Sequence, residues 1–177
     1  MLNFDFHNPT HIAFGQGRIA DLAKLVPAAA KVLILVGGAS AEKTGTLAEV
    51  RAALGERQHA TFSGIEPNPS YETSMKAVAQ IREGGFDFLL AVGGGSVIDA
   101  TKFIAAAVRF EGADPWAILE KHGRNIQGAM PFGSVLTLPA TGSEMNNGGV
   151  ITHRAKGAKL SFGSVHTYPV FSVLDPT

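Results

Sequence analysis

Two stretches of the chain are almost purely apolar, and each runs straight into glycines. Lys31 to Val36 reads Lys-Val-Leu-Ile-Leu-Val and is followed by Gly37, Gly38, Ala39 and Ser40. Phe86 to Val92 reads Phe-Asp-Phe-Leu-Leu-Ala-Val and is followed by Gly93, Gly94, Gly95 and Ser96. Short runs of leucine and β-branched residues fit strands of a parallel sheet that is covered on both faces. Between and around them the spacing changes to three or four. Ile19, Leu22, Leu25 and Val26 predict a helix within 17–29, and Met75, Val78 and Ile81 predict one from Tyr71 to Arg82. Further helices are expected at 44–54 and from Val97 to Val108. Shorter strands are expected at 58–63 and 134–138, and β segments near 150–152, 159–162 and 170–174. Phe4, Phe6, Ile12 and Phe14 alternate and predict extended strands over 3–14.

Strand, glycine turn, helix and strand again is the pattern of an α/β domain: a Rossmann-like parallel sheet with helices on both faces, plus short β segments. No linker interrupts it, so residues 1–177 are expected to form one dinucleotide-binding domain. In such sheets ligands bind beyond the carboxyl ends of the strands, which is where the glycines stand.

Composition narrows the partners. Lysine plus arginine and aspartate plus glutamate are 15 each, so bulk charge draws the chain to neither nucleic acid nor anionic lipid. With no cysteine, disulfides, thiolate metal sites and a cysteine nucleophile are excluded. No run approaches the ~20 apolar residues that span a bilayer, and the first nine residues lack the basic start and apolar core of a signal peptide. The expectation is a cytoplasmic protein without a nucleic-acid or membrane partner.

The most informative segment is Ala91 to Asp99. Its glycines are expected to bring the backbone close to a ligand and to adopt positive φ. A helix beginning near Ser96 offers free N–H groups and the positive end of its dipole, an anion site that suits a diphosphate. Ser96 can cap that helix or donate to a phosphate oxygen. A tight strand-to-helix turn without a ligand is the alternative. The segment is neither a P-loop nor the Gly-x-Gly-x-x-Gly fingerprint. Gly15 and Gly17 imitate that fingerprint, but the acidic residue expected about 20 positions on is missing. In its place stand Gly37, Gly38 and Ser40, which carry no charge to hold ribose hydroxyls or repel a 2′-phosphate. That favours NADP over NAD, although no arginine is evident in the sequence to clamp the phosphate.

Three segments in order, Gly93 to Lys102, Thr137 to Glu144 (Thr-Leu-Pro-Ala-Thr-Gly-Ser-Glu) and the Gly37–Ser40 turn, resemble the iron-containing (group III) alcohol dehydrogenase family. The similarity is to its branch of NADPH-dependent aldehyde reductases and butanol dehydrogenases, and Phe62 to Pro69 adds to it. The resemblance implies the fold of a dehydroquinate synthase-like N-terminal domain. It implies that Gly94, Gly95 and Ser96 hold the pyrophosphate of NADP(H). It places Asp99 near the cofactor, or in an i,i+3 ion pair with Lys102. Asn68 would stand over the cofactor cleft, or serve as a turn residue between prolines. Thr137 and Thr141 would contact the nucleotide, and Asn147, Val150 and Lys159 would line its ribose and nicotinamide side. Lys159 has the rival reading of a solvated strand lysine. The implied substrate is an aldehyde or alcohol, and the implied assembly a homodimer formed partly through the N-terminal strands.

The same resemblance implies a divalent metal, iron or zinc, held by one aspartate and three histidines of a C-terminal helical domain. None of His7, His11, His59, His122, His153 and His166 matches such a position. The chain is therefore expected to be the cofactor-binding half of a longer enzyme, inactive alone and without a metal site. A glycerol dehydrogenase-like enzyme half and a non-catalytic nucleotide-binding module are the competing readings.

Overall fold

The computed structural model describes residues 3–177. The elements run β1 (His11–Phe14), a 3-10 turn (Arg18–Asp21), α1 (Leu22–Leu25), β2 (Val32–Val36), α2 (Ser40–Lys43), α3 (Thr46–Leu54), β3 (His59–Phe62), α4 (Tyr71–Gly84), β4 (Phe88–Gly93), α5 (Gly95–Val108), α6 (Ala117–Glu120), β5 (Phe132–Leu136), β6 (Gly148–His153), β7 (Ala158–Gly163), a second 3-10 turn (Val165–Thr167) and β8 (Phe171–Leu174).

Six strands form one sheet in the order β1-β8-β5-β4-β2-β3, and every pair is parallel. β2 and β4 are buried along their whole length, as their unbroken apolar runs require. Their side chains alternate between two cores. Leu33, Leu35, Leu89 and Ala91 pack against α4 and α5, including Val78, Ile81, Ile98 and Phe103. Val32, Ile34, Val36, Leu90 and Val92 pack on the other face with Leu22, Val26, Leu47, Val50 and Leu54. The sheet is thus covered on both sides, as the sequence pattern predicts.

Local chemistry sets the helix ends. Ser70 caps α4, its hydroxyl accepting from the Thr73 N–H at 3.1 Å, a contact whose loss costs about 1 kcal/mol. At the other end Gly85 takes the left-handed conformation, φ 64°, which carries α4 two residues past the expected Arg82. The expected helix over 17–29 is only the short turn and α1. The expected N-terminal strands reduce to β1, because residues 3–10 form no regular element.

From β2 the chain passes outward to β3 at the edge; after β4 it passes the other way to β5. The connections therefore diverge between β2 and β4. This switch point is where open α/β sheets leave a crevice, and the two glycine turns flank it.

β6 and β7 form a separate antiparallel hairpin fastened to the segment before α4. The Thr152 N–H donates to the Pro69 carbonyl at 2.9 Å, Ser70 and Thr152 form an isolated parallel bridge, and Arg154 pairs with Glu66. The Glu72 carboxylate accepts from the N–H groups of Arg154 (3.3 Å) and Ala155 (3.1 Å).

Candidate cofactor cleft

The turn from β4 into α5 is shaped by close contact, not by unusual torsions. None of Gly93, Gly94 and Gly95 has positive φ, which corrects the expectation that they would. A Cβ on Gly93 would stand 2.6 Å from Val97 Cγ2, and one on Gly95 would stand 3.0 Å from Thr141 Oγ1. Glycine is needed here so that the strand, the first turn of α5 and the Thr141 loop can meet. α5 begins at Gly95 with Gly94 as its cap and without a side-chain capping bond, so Ser96 lies in the first turn and is not the cap. The first bonds back to Gly94 come from the N–H groups of Val97 and Ile98, at 3.1 and 3.2 Å. The N–H groups of Gly95 and Ser96 precede them, at the positive end of a 14-residue helix.

Beyond this turn opens a cavity of about 490 Å³ lined by Pro67, Asn68, Pro69, Gly94, Gly95, Ser96, Val97, Asp99, Leu138, Ala140, Thr141, Val150 and Lys159. Eight of the thirteen expected residues meet in it: Asn68, Gly94, Gly95, Ser96, Asp99, Thr141, Val150 and Lys159. Asn147 lines an adjoining hollow that shares Asp99, Thr141 and Val150 with the first. Gly37 and Gly38 line a second cavity, of about 470 Å³. Ser40 opens α2 and is not among the residues lining it. Thr137 faces another hollow, with Phe14, Leu136 and Pro139, while its N–H donates to the Gly93 carbonyl at 3.0 Å.

Of the two readings of Asp99, the direct ion pair with Lys102 is not formed; Ser143 stands between them. The Lys102 ammonium, fully buried, donates to Ser143 Oγ (3.0 Å), Asn146 Oδ1 (2.8 Å) and the Gly148 carbonyl (2.7 Å). Ser143 Oγ donates in turn to Asp99 Oδ1 at 2.5 Å, and Asp99 Oδ2 accepts from the Val150 N–H at 3.0 Å. Burial pushes the Asp99 carboxyl up, against Ser143, Val150 and the Lys102 charge. Burial brings the Lys102 amine down to about 8, against Asp99 and Glu144. Both shifts have one cause, the loss of water around a charged group. The network ties α5, the Thr141–Asn146 loop and β6 together behind the cleft.

Across the mouth, Lys159 on β7 donates to Asn68 Oδ1 at 2.7 Å. Asn68 is left-handed, φ 55°, a conformation asparagine tolerates better than most residues. It sits in a bend between Pro67 and Pro69 and lines this cavity. Lys159 is exposed but aimed across the cleft at a partner.

Backbone donors at a helix N-terminus, the Ser96 and Thr141 hydroxyls, one cation and the apolar Val150, Leu138 and Pro67 suit an elongated ligand carrying phosphate at one end. The tight approach at Gly95 is a cradle that a Cβ would fill, so the residues fit a dinucleotide diphosphate. A metal ion is different. Among the described residues no three His, Cys, Asp or Glu side chains lie close enough together to hold one.

Sequence reasoning missed Arg51. It lines the second cavity beside Gly37 and Gly38, where no arginine was evident. The available signal was helical spacing: Leu47 and Arg51, four apart on α3, both face that cavity. Pro67 and Leu138 were missed because apolar lining leaves no chemical mark in a sequence.

The family profile of iron-containing alcohol dehydrogenases matches residues 9–176. The NADPH-dependent aldehyde reductase YqhD of Escherichia coli is 55% identical over 177 residues, covering 99% of this chain and 46% of that protein. A probable NADH-dependent butanol dehydrogenase of Bacillus subtilis is 46% identical, over 99% of this chain and 45% of its own. A crystal structure of the Escherichia coli protein superposes with a TM-score of 0.95, over 98% of this chain and 45% of that one. That of an NADH-dependent butanol dehydrogenase from Thermotoga maritima, 38% identical, superposes at 0.91, over 98% and 44%. The chain thus spans about half the length of the relatives it matches. The parallel sheet, the two glycine turns at its switch point and these matches together establish that the chain belongs to the iron-containing alcohol dehydrogenase family.

Proposed function

We propose that this chain is the NADP(H)-binding half of a metal-dependent alcohol dehydrogenase or aldehyde reductase, which moves hydride between NADPH and an aldehyde or primary alcohol. The observation that carries the reading is the cleft at the switch point, where eight residues expected from the sequence share one 490 Å³ cavity. When bound, the nicotinamide supplies the hydride. The N–H groups of Gly95 and Ser96, with the Ser96 and Thr141 hydroxyls, hold the diphosphate. Lys159 leaves Asn68 to meet ligand oxygen, and Val150 packs on the sugar and nicotinamide side. Asn147 borders that side from the adjoining hollow, and Thr137 supports the turn from behind.

The divalent metal of the proposed enzyme, iron or zinc, has no ligand set among the described residues. The 177 residues alone are therefore expected to bind cofactor without turnover. We further propose a cytoplasmic homodimer. The supports for the dimer are the edge position of β1, the exposure of Phe14 on it, and the exposure of Phe4 and Phe6 in the segment that precedes it, since exposed strand edges and apolar residues favour association.

Calorimetric titration of the purified chain with NADPH and NADH tests the nucleotide reading. Saturable binding of NADPH, stronger than that of NADH, is expected. Absence of heat with both nucleotides, in a chain shown by circular dichroism to be folded, would reject it. Steady NADPH-dependent reduction of butanal would reject the claim that these residues are inactive alone.

A further inference from the structure

The second cavity stands on the other side of the switch point, and its chemistry differs from that of the first. Its floor is the Gly37–Gly38 turn, and its walls include Glu42, Arg51, Thr61 and Ser63. Gly37, at the floor of this cavity, packs beside Val97 of the first. A Cβ there would stand 3.5 Å from Cγ2 of Val97, which lines the first cavity, and 3.1 Å from the Ile65 carbonyl. At Gly38 a Cβ would meet nothing within 4 Å, so the turn leaves open space where a side chain would otherwise stand.

Among the described residues, the one cation lining this cavity is the guanidinium of Arg51. It is held in place, not waving in solvent: Nη2 donates to Thr61 Oγ1 at 3.3 Å and Nη1 to Glu42 Oε1 at 3.4 Å. The Glu42 contact is long, and that carboxylate is 61% exposed, so water and salt weaken it. The guanidinium thus has a weak, replaceable counter-ion, while a hydroxyl of β3 fixes its direction. A phosphate dianion accepts two parallel N–H bonds from such a fork, and these are stronger than a screened surface pair.

We infer that Arg51 is a specificity-determining residue that reads the adenosine 2′-phosphate of NADP(H), the phosphate displacing Glu42 while Thr61 holds the guanidinium toward the Gly37–Gly38 floor. The inference rests on the nucleotide reading proposed above and adds to it a residue and a mechanism of choice. NADPH binding exchanges one anion on Arg51 for another, and NADH binding leaves the Glu42 contact intact. Glu42 works against the phosphate and limits the preference that Arg51 creates.

The test is calorimetric titration of the 177-residue chain and of Arg51→Gln, Arg51→Lys and Glu42→Gln with NADPH and with NADH. Arg51 is partly exposed on the surface of α3, so these variants are expected to fold, as circular dichroism and melting curves will show. Arg51→Gln should weaken NADPH about tenfold or more, the scale of one lost charge-assisted contact, and leave NADH within about twofold. Arg51→Lys should restore part of the loss, since a point charge replaces the fork. Glu42→Gln should tighten NADPH by a fewfold and leave NADH unchanged. The inference is overturned if Arg51→Gln weakens both nucleotides alike, or if wild type prefers NADPH and the variant keeps that preference. Binding of neither nucleotide by the folded wild type would overturn the nucleotide reading and this inference together.

Discussion

The two glycine turns at the switch point look alike in the sequence and are built on opposite plans. After β4 the glycines are demanded from within, because Val97 and Thr141 occupy the space where side chains would stand. Behind that turn lies a buried network of Asp99, Lys102, Ser143 and Asn146. After β2, Gly38 faces open space, and the charged residues lining its cavity are the partly exposed Arg51 and the exposed Glu42. The first turn is fixed by the fold and suits the part of a ligand that every dinucleotide shares. The second is tight at Gly37 but open at Gly38, which can carry a side chain of any charge without disturbing the core, so a choice between dinucleotides belongs there.

Substitutions should separate the two plans. Lys102→Met leaves the Ser143, Asn146 and Gly148 oxygens without their buried donor and the Asp99 carboxylate without a nearby opposite charge. It should destabilise the chain by about 2–4 kcal/mol, read as a fall in the urea midpoint. A loss below 0.5 kcal/mol would mean that the network does not hold the first turn. Gly93→Ala forces a methyl against Val97 and should cost about 1–3 kcal/mol as overpacking, checked by thermal unfolding. Gly38→Asp should leave the melting curve within about 0.5 kcal/mol of wild type. It should instead weaken NADPH about tenfold by placing a carboxylate beside the phosphate, measured by titration. Equal effects of Gly93→Ala and Gly38→Asp on stability would erase the distinction.

A pH dependence should be confined to the first region. Burial holds the folded Lys102 amine at about 8, below the ~10.4 of an exposed lysine. Between those values the unfolded chain binds more protons than the folded one, so stability gains a contribution as pH rises from about 8 toward the ordinary lysine value. Lys102→Met should lack that contribution. The difference between the two melting profiles over this range checks the sign.

The sheet was legible in the sequence because β2 and β4 are buried on both faces, and burial on both faces leaves an unbroken apolar run. The cleft was legible where glycines and hydroxyls follow such runs, at Gly94, Gly95, Ser96 and Thr141. Two kinds of information were not. Side-chain bridges between distant segments, such as Ser143 between Asp99 and Lys102, come from tertiary placement, and an i,i+3 spacing suggested a direct pair instead. Arg51 lies in α3 and lines the same cavity as the Gly37–Gly38 turn, so proximity along the chain did not point to it. The reason for glycine at Gly93 and Gly95 was also hidden, since closeness of packing and freedom of φ leave the same letter in the sequence.

The β6–β7 hairpin is stitched to the 66–72 segment by backbone bonds, an ion pair and the Lys159–Asn68 contact. The wall of the cleft that carries Val150 and Lys159 and the wall that carries Asn68 are therefore expected to open as one cooperative unit. Amide hydrogens of both segments should exchange with solvent deuterium at a common rate, slower than those of α2. A nucleotide that bridges the cleft should slow them together, so protection in the hairpin would report occupancy of a site that most of its amides never touch.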